Sequence, residues 1–367
     1  MEHAMDTTLS LARGAAAAPE ARTPGQRIAD DKAMLRAAAD LTRDLNAPRP
    51  LVYWGDLIAS AAVGYGAIAV AVLASSTAVM IAAGVVAVLA LYRALLFIHE
   101  ISHIKHAALP GFRLGWNLLV GIPMLTPSFM YEGVHNLHHA KTRYGTAEDP
   151  EYLPLALMKP WTLPLFILVS LLAPVGLLIR FAILSPLSWL IPPLRRTVIE
   201  RYSALSINPS FRRKIPEGEQ RRLFDRLDGG AAIWAVGVVA LVATGLIPLR
   251  GFEIVVAIGS AVALLNQVRT LVAHLWENEG EQMSVTAQYL DSVNVPPPSL
   301  LPALWAPVGL RYHALHHLLP GLPYHALGEA HRRIAAVLEE GSVYHKASYK
   351  SALGLMHRIG KSTMVAR

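Results

Sequence analysis

The chain has 367 residues, no cysteine, a formal net charge of +7 and a mean hydropathy of +0.38. The lack of cysteine excludes a disulfide framework and any thiolate metal site, so a metal would have to be held by nitrogen and oxygen. The positive charge does not point to nucleic acid, because the basic residues sit beside long uncharged apolar runs, which is a membrane pattern.

Residues 1–26 are Ala-rich with scattered Pro, Gly and charge, and predict a disordered N-terminal tail without a secretory signal. Residues 27–50 predict an amphipathic surface helix and linker, with the helix over Asp30 to Leu45 ended by Pro48 and Pro50. A membrane domain is expected over 51–335. Leu57 to Ala74 is uncharged and long enough to span a bilayer, Ser75-Ser76-Thr77 is a turn, and Ala78 to Ile98 is a second span interrupted only by Arg93. At about 1.5 Å per residue, His99 lies roughly 31 Å from Ala78, so it emerges where the helix leaves a hydrocarbon core about 30 Å thick. Arg93 is expected to anchor at the same interface.

Between residues 163 and 194 the chain is apolar except for Arg180 and is broken by Pro174, Pro186, Pro192 and Pro193. Residues 195–226 hold nine Lys/Arg against four Asp/Glu, which places them on the cytoplasmic side. Ala231 to Leu249 and Ile254 to His274 predict a second hairpin joined at Arg250-Gly251, with Arg269 and His274 at the depths of Arg93 and His99. For the histidine-bearing segments to meet, 163–194 must enter and return. A short hairpin, a re-entrant segment and an interfacial helix all satisfy this. Residues 336–367 predict a basic C-terminal tail. The expected fold is an all-α membrane protein: two transmembrane hairpins, about four spans, and a re-entrant or interfacial segment under a cytoplasmic helical cap. An inner (cytoplasmic) membrane, with both termini in the cytoplasm and the active site facing it, is the expected location.

Three histidine clusters punctuate this layout: His99-Glu100-Ile101-Ser102-His103, His135-Asn136-Leu137-His138-His139 and His313-Ala314-Leu315-His316-His317. Spacings of three and four put the rings of each cluster on one helical face. Imidazole is the commonest metal ligand among side chains. A single HxxHH is weak, since histidines pair by chance, but three sets brought to one membrane face are strong. These eight, with His274 as a ninth by its depth, are too many for one ion and suit two. Nitrogen ligands fit Zn, Cu, Fe and Ni alike. A donor set without carboxylates suits oxygen activation better than hydrolysis; Glu100 adjoins His99 but points about 100° away on a helix. His106, Asn136, Asp149 and Asn278, along with Glu132, Glu148 and Glu277, are placed to accept or donate hydrogen bonds behind the ligands. His325, His331, His345 and His357 lack the spacing and predict surface positions.

HEISH at 99–103, HNLHH at 135–139 and YHALHHLLP at 312–320 together resemble the three-box signature of the integral-membrane fatty acid desaturase and hydroxylase superfamily, over roughly residues 50–335. HEISH and the YGTAEDPEYLP run at 144–154 resemble its acyl-lipid and sphingolipid desaturase branch. The resemblance implies a di-iron centre of two Fe ions ligated by His99, His103, His135, His138, His139, His313, His316 and His317, with His274 matching an extra family histidine. The third box begins with His313 rather than Gln, and no HPGG haem motif is present, so the resemblance implies electrons from a separate ferredoxin or cytochrome b5. It implies an O₂-dependent acyl-lipid desaturase, with the acyl chain in an apolar tunnel walled by residues 122–130 and 283–295. Two alternatives stand beside it: a lipid hydroxylase or carotenoid oxygenase on the same ligands, and a membrane metal-binding or transport protein.

Overall fold

The computed structural model describes residues 28–364, so the predicted tail over 1–26 lies outside the described residues. Among the described residues the structure is helical, with three isolated β-bridges and no strand.

Helix α1 (Lys32–Leu41) begins at Asp31, whose side chain accepts the Met34 amide, satisfying one of the free N–H groups of a helix start. Its apolar face is not left on a free surface: Met34 and Ala38 are buried with Leu327, Ala330 and Ile334.

The first hairpin is α2 (Pro50–Leu73) and α3 (Thr77–His103), and the box-one histidines are the last turns of α3. The two helices approach closely at Gly64, where an added Cβ would lie 2.6 Å from Leu91 Cδ2. Helix α2 starts at Pro50 rather than at Leu57, and this brings Asp56 into the helix. Arg93 is therefore not a lone interfacial anchor. Its Nε and Nη2 donate to Asp56 at 2.6 and 2.5 Å, and the Tyr324 hydroxyl donates to the same carboxylate at 2.8 Å. A two-point guanidinium–carboxylate pair is the way to hold both charges at a membrane depth. Beyond it, Ile58, Val63, Val70, Ile81 and Val85 face outward, as a lipid-facing surface requires.

A short helix, α4 (His135–His138), follows in the cap. Next comes α5 (Thr162–Leu190), which makes five helices long and apolar enough to cross a membrane together with α2, α3, α7 (Gly218–Ala243) and α8 (Leu249–Leu271). Short α6 (Pro192–Tyr202) joins α5 to α7. The contacts of α5 trace a dip rather than a crossing. Gln267 donates to Phe166 O and Ser260 to Leu171 O, and Pro174 packs on Gly259. That is a descent of about 12 Å along α8. Six residues after Pro174, Arg180 pairs with Asp228 at 3.0 Å and donates to Tyr202 O and Ser203. Measured from the closed end of the α7–α8 hairpin, Gly259 stands at about 15 Å and Asp228 at about 22 Å, so the chain has turned back. Parity agrees: α7 and α8 are two crossings, and a third between His138 and His274 would put them on opposite faces. Their ring centroids are 5.1 Å apart. A 3₁₀ turn at Val169–Leu172 and a π turn at Ile179–Leu184 supply the bend.

The cap closes with α9 (Val285–Asp291), α10 (His313–Leu318), α11 (Leu327–Val337) and α12 (Ala352–Met364). The last is not a free tail. Leu355 and Ile359, one turn apart, bury against the cluster that holds Tyr144, Tyr152 and Trp276.

Candidate metal centre

Nine imidazoles meet under the cap, in two groups. His99, His103, His135, His139 and His316 form one, and His138, His274, His313 and His317 the other; within each, the ligand atoms all lie within 4.8 Å of one another. Helical spacing explains the division. The i, i+4 pairs His99/His103 and His135/His139 serve the first group, and His313/His317 the second. The remaining members, His138 and His316, stand three residues along their helices and cross to the other group. His274 follows α8 directly. Its strand-like neighbours align it with box three: Leu275 N donates to Asp291 O at 2.8 Å, Val293 N to Ala273 O at 3.0 Å and Ala314 N to Val293 O at 3.1 Å.

Three of the outward nitrogens are tied to acceptors, while Nδ1 of His99, His139, His313 and His317 is buried without a hydrogen-bond partner. His138 Nδ1 faces both oxygens of Asp149 at 3.0 and 2.9 Å, and His135 Nδ1 faces Glu151 Oε1 at 2.8 Å. The Tyr131 hydroxyl donates to the other Glu151 oxygen. His274 Nδ1 meets the Tyr144 hydroxyl at 2.8 Å, which donates to Asp291. With Nδ1–H committed to these acceptors, each Nε2 lone pair points inward, the tautomer a metal ligand needs. Gly145, at φ 70, lets the 144–151 loop close: its amide donates to Asp149, and Asn278 Nδ2 would sit 2.5 Å from an added Cβ.

Inside the groups the nitrogens crowd. Nε2 pairs approach to 3.0 Å (His135/His139 and His274/His313) and to 3.2 Å (His103/His316, His139/His316 and His313/His317). Neutral imidazoles with Nδ1 protonated cannot hydrogen-bond through two facing lone pairs. The spacing instead matches the edge of a coordination shell with bonds of ~2.1 Å. The residues therefore fit two metal ions, one per group. No carboxylate belongs to either donor set among the described residues; Asp149, Glu151 and Asp291 place negative charge just behind them.

Electrostatics favour the same state. Burial holds His135, His139, His274, His313, His316 and His317 well below the usual imidazole range, and neighbouring rings and Arg269 add to it. Burial opposes charge on His138 too, but the carboxylates of Asp149, Glu151 and Asp291 outweigh it and raise that ring. Burial pushes Glu151 up to about 7.

Other residues singled out in the sequence lie elsewhere. His106 sits 3.1 Å from Glu132 and 3.0 Å from Arg113, on the rim. Asn136 is exposed, on the outer side of α4. Asn278 bonds Gly145 O and Glu281 O and supports the loop without touching a histidine. Glu148 pairs with Arg143 and Glu277 with Arg358. Glu100 accepts from the Tyr53 hydroxyl and Tyr324 N, and its other oxygen is 3.7 Å from His99 Nδ1. His331 is half-buried against the Tyr344 hydroxyl rather than on the surface. Glu151, Tyr144 and Asp291 were missed. Glu151 had a signal, two residues after Asp149 in the loop following box two. Asp291 had none, being 147 positions from Tyr144.

A cavity of about 910 Å³ opens beside the first group. His99, Tyr131 and Glu151 line one end, and Pro174, Val238, Phe252 and Val255 the other. Of the two walls expected from sequence, Pro123 to Thr126 contribute; residues 283–295 do not. They are spent on aligning His274 with His313.

Fold and site define a multi-pass membrane protein with a two-part histidine centre at one end of its spans. The chain belongs to the fatty acid desaturase family, whose model matches residues 74–349. It is 50% identical over 345 residues to a protein of Caulobacter vibrioides (strain NA1000 / CB15N) named "Ceramide hydroxylase", covering 93% of this chain and 98% of that relative. It is thus an oxidoreductase of a lipid-modifying superfamily.

Proposed function

We propose that this protein is an O₂-dependent hydroxylase of ceramide-class membrane lipids, using two iron ions held by the nine histidines and electrons from a separate carrier. The single observation that carries hydroxylation over the desaturation expected from sequence is the 50% identity, across nearly both full lengths, to a ceramide hydroxylase. The histidine sets are common to both reactions and do not choose between them. Metal transport is disfavoured because the imidazoles gather at one end of the spans instead of along a path through them.

Bound there, iron would supply O₂ reduction and oxidation of an unactivated C–H bond. In hydroxylation one oxygen atom enters the substrate and the other leaves as water, with two electrons and two protons consumed. The chain's own residues supply geometry and protons. The apolar cavity takes the lipid chain from the bilayer and excludes water around the reacting carbon. Asp149 and Tyr144 fix the His138 and His274 rings in one orientation. Glu151, with its carboxyl near 7 and one oxygen 2.8 Å from His135 Nδ1, can hold a proton at the cavity wall and release it at neutral pH. The active face lies on the side of the basic 195–226 segment, the cytoplasmic side by its charge.

The test is lipid mass spectrometry of ceramide-producing cells that express the wild type or a variant with His138 and His139 replaced by Ala. A ceramide heavier by one oxygen, present only with the wild type, is expected. A species lighter by two hydrogens would move the assignment to desaturase.

A further inference from the structure

The charged and ionisable side chains that line the cavity gather at one end. Arg269, Asn266 and Glu151 line it near His99 and Tyr131, while Pro174, Val238, Phe252 and Val255 wall the far end. Sequence depth alone made Arg269 an interfacial anchor, but its side chain turns inward. Nη2 reaches Asn266 Oδ1 at a long 3.3 Å. Its Nε is buried without a hydrogen-bond partner, and among the described residues it makes no ion pair. Thr126, 7% exposed, lines the same cavity, and its hydroxyl is also buried without a partner. Orphaned buried donors are expensive unless something else satisfies them. Here they face space able to hold a lipid.

An amphipathic lipid can enter this cavity in one sense. A polar group at the far end would meet hydrocarbon and the already bonded Ser170 hydroxyl and Trp234 indole N–H, so it must sit at the histidine end. Glu151 decides the kind of group. A phosphate or free carboxylate drawn by Arg269 would bring more acceptor oxygens against those of Glu151, whereas a neutral amide flanked by hydroxyls suits both: its carbonyl accepts, and its N–H or hydroxyl donates.

Building on the ceramide-hydroxylase reading, we infer that Arg269, with Asn266 and Thr126, positions the amide carbonyl of an N-acyl amino-alcohol lipid, so that the carbon oxidised lies within a few bonds of that amide. Arg269 is a positioning residue. Reversing the lipid, or leaving the amide unanchored, would present mid-chain carbons instead.

The test uses the full-length, metal-loaded protein with N-palmitoyl sphinganine, and hexadecane as a chain without polar groups. Binding is followed by fluorescence of Trp161 and Trp234, which line the cavity. Arg269→Gln is expected to weaken sphinganine-amide binding about tenfold or more, as loss of a charged hydrogen bond does. Hexadecane binding and iron content should stay at the wild-type level. KM should rise more than kcat falls, and Arg269→Lys should recover part of the loss. Tandem mass spectrometry of the wild-type product should place the new hydroxyl beside the amide. Equal loss for both probes, unchanged amide binding or a mid-chain hydroxyl would overturn the inference. The product position needs no variant, so it decides the matter even if Arg269→Gln fails to fold. An unsaturated product, or no oxidised lipid at all from the wild type, would instead refute the hydroxylase reading beneath it.

Discussion

At the residue scale, the site depends on carboxylates that touch no metal. Asp149 is buried, bonds His138 Nδ1 through both oxygens and is held by the Gly145 and Glu151 amides. Asp149→Ala leaves that ring free to turn and removes charge behind the second group. Metal affinity should fall roughly 10–100-fold, read as lower iron occupancy after dialysis against a weak chelator. Occupancy equal to wild type would show that Asp149 only supports the loop. The buried rings also predict a pH dependence for the metal-free protein. Six imidazoles outside the spans are held well below the usual range by burial, so below about 6.5 the unfolded chain takes up protons that the folded one refuses. Their contribution is complete above that pH and is lost as pH falls toward the folded values. His138, raised by Asp149 against burial, and Glu151, pushed up to about 7, work in the opposite direction, but they are two groups against six. Thermal melts in detergent should thus show a lower midpoint at pH ~5.5 than at pH ~7.5; a flat or rising midpoint on acidification contradicts the burial argument. The histidines were legible because i, i+3 and i+4 spacing is local. Asp291 was not, because only the fold brings it to Tyr144.

At the element scale, the first hairpin rests on close approach and on one ion pair. An added Cβ at Gly64 would sit 2.6 Å from Leu91, while Gly66 on the same helix has nothing within 4 Å. Gly64→Val should therefore destabilise by about 1–3 kcal/mol through overpacking, and Gly66→Val should not. Unfolding of the two variants in mixed micelles compares them directly; similar midpoints would mean that the hairpin yields at Leu91. The spans were legible from uncharged length, but their ends were not. Helix α2 begins at Pro50 because a proline is favoured in a first turn, where its missing N–H is no loss. Asp56 is tolerated inside because Arg93 lies across from it. Apolar length alone could not show that α5 turns back, since Pro174 and a π turn act through contacts with α8 and α7.

At the scale of the whole molecule, the topology follows from requiring nine histidines to meet. Boxes one and two precede α5, while His274 and box three follow α8, and all nine rings occupy one centre. With α7 and α8 crossing, α5 must begin and end on the same face. The chain has no cysteine, so single cysteines report accessibility without background. Lys159 and Lys214, exposed on either side of α5, and Ser75 and Leu246, exposed at the closed ends of the two hairpins, are the informative positions. A membrane-impermeant maleimide should label Ser75→Cys and Leu246→Cys in intact spheroplasts, and Lys159→Cys and Lys214→Cys only after lysis. Labelling of Lys159→Cys and Lys214→Cys from opposite sides would mean that α5 crosses, and the histidines could then not form a single centre. Labelling of all four in the reverse sense would keep the fold and move the active face outward, against the nine Lys/Arg of residues 195–226.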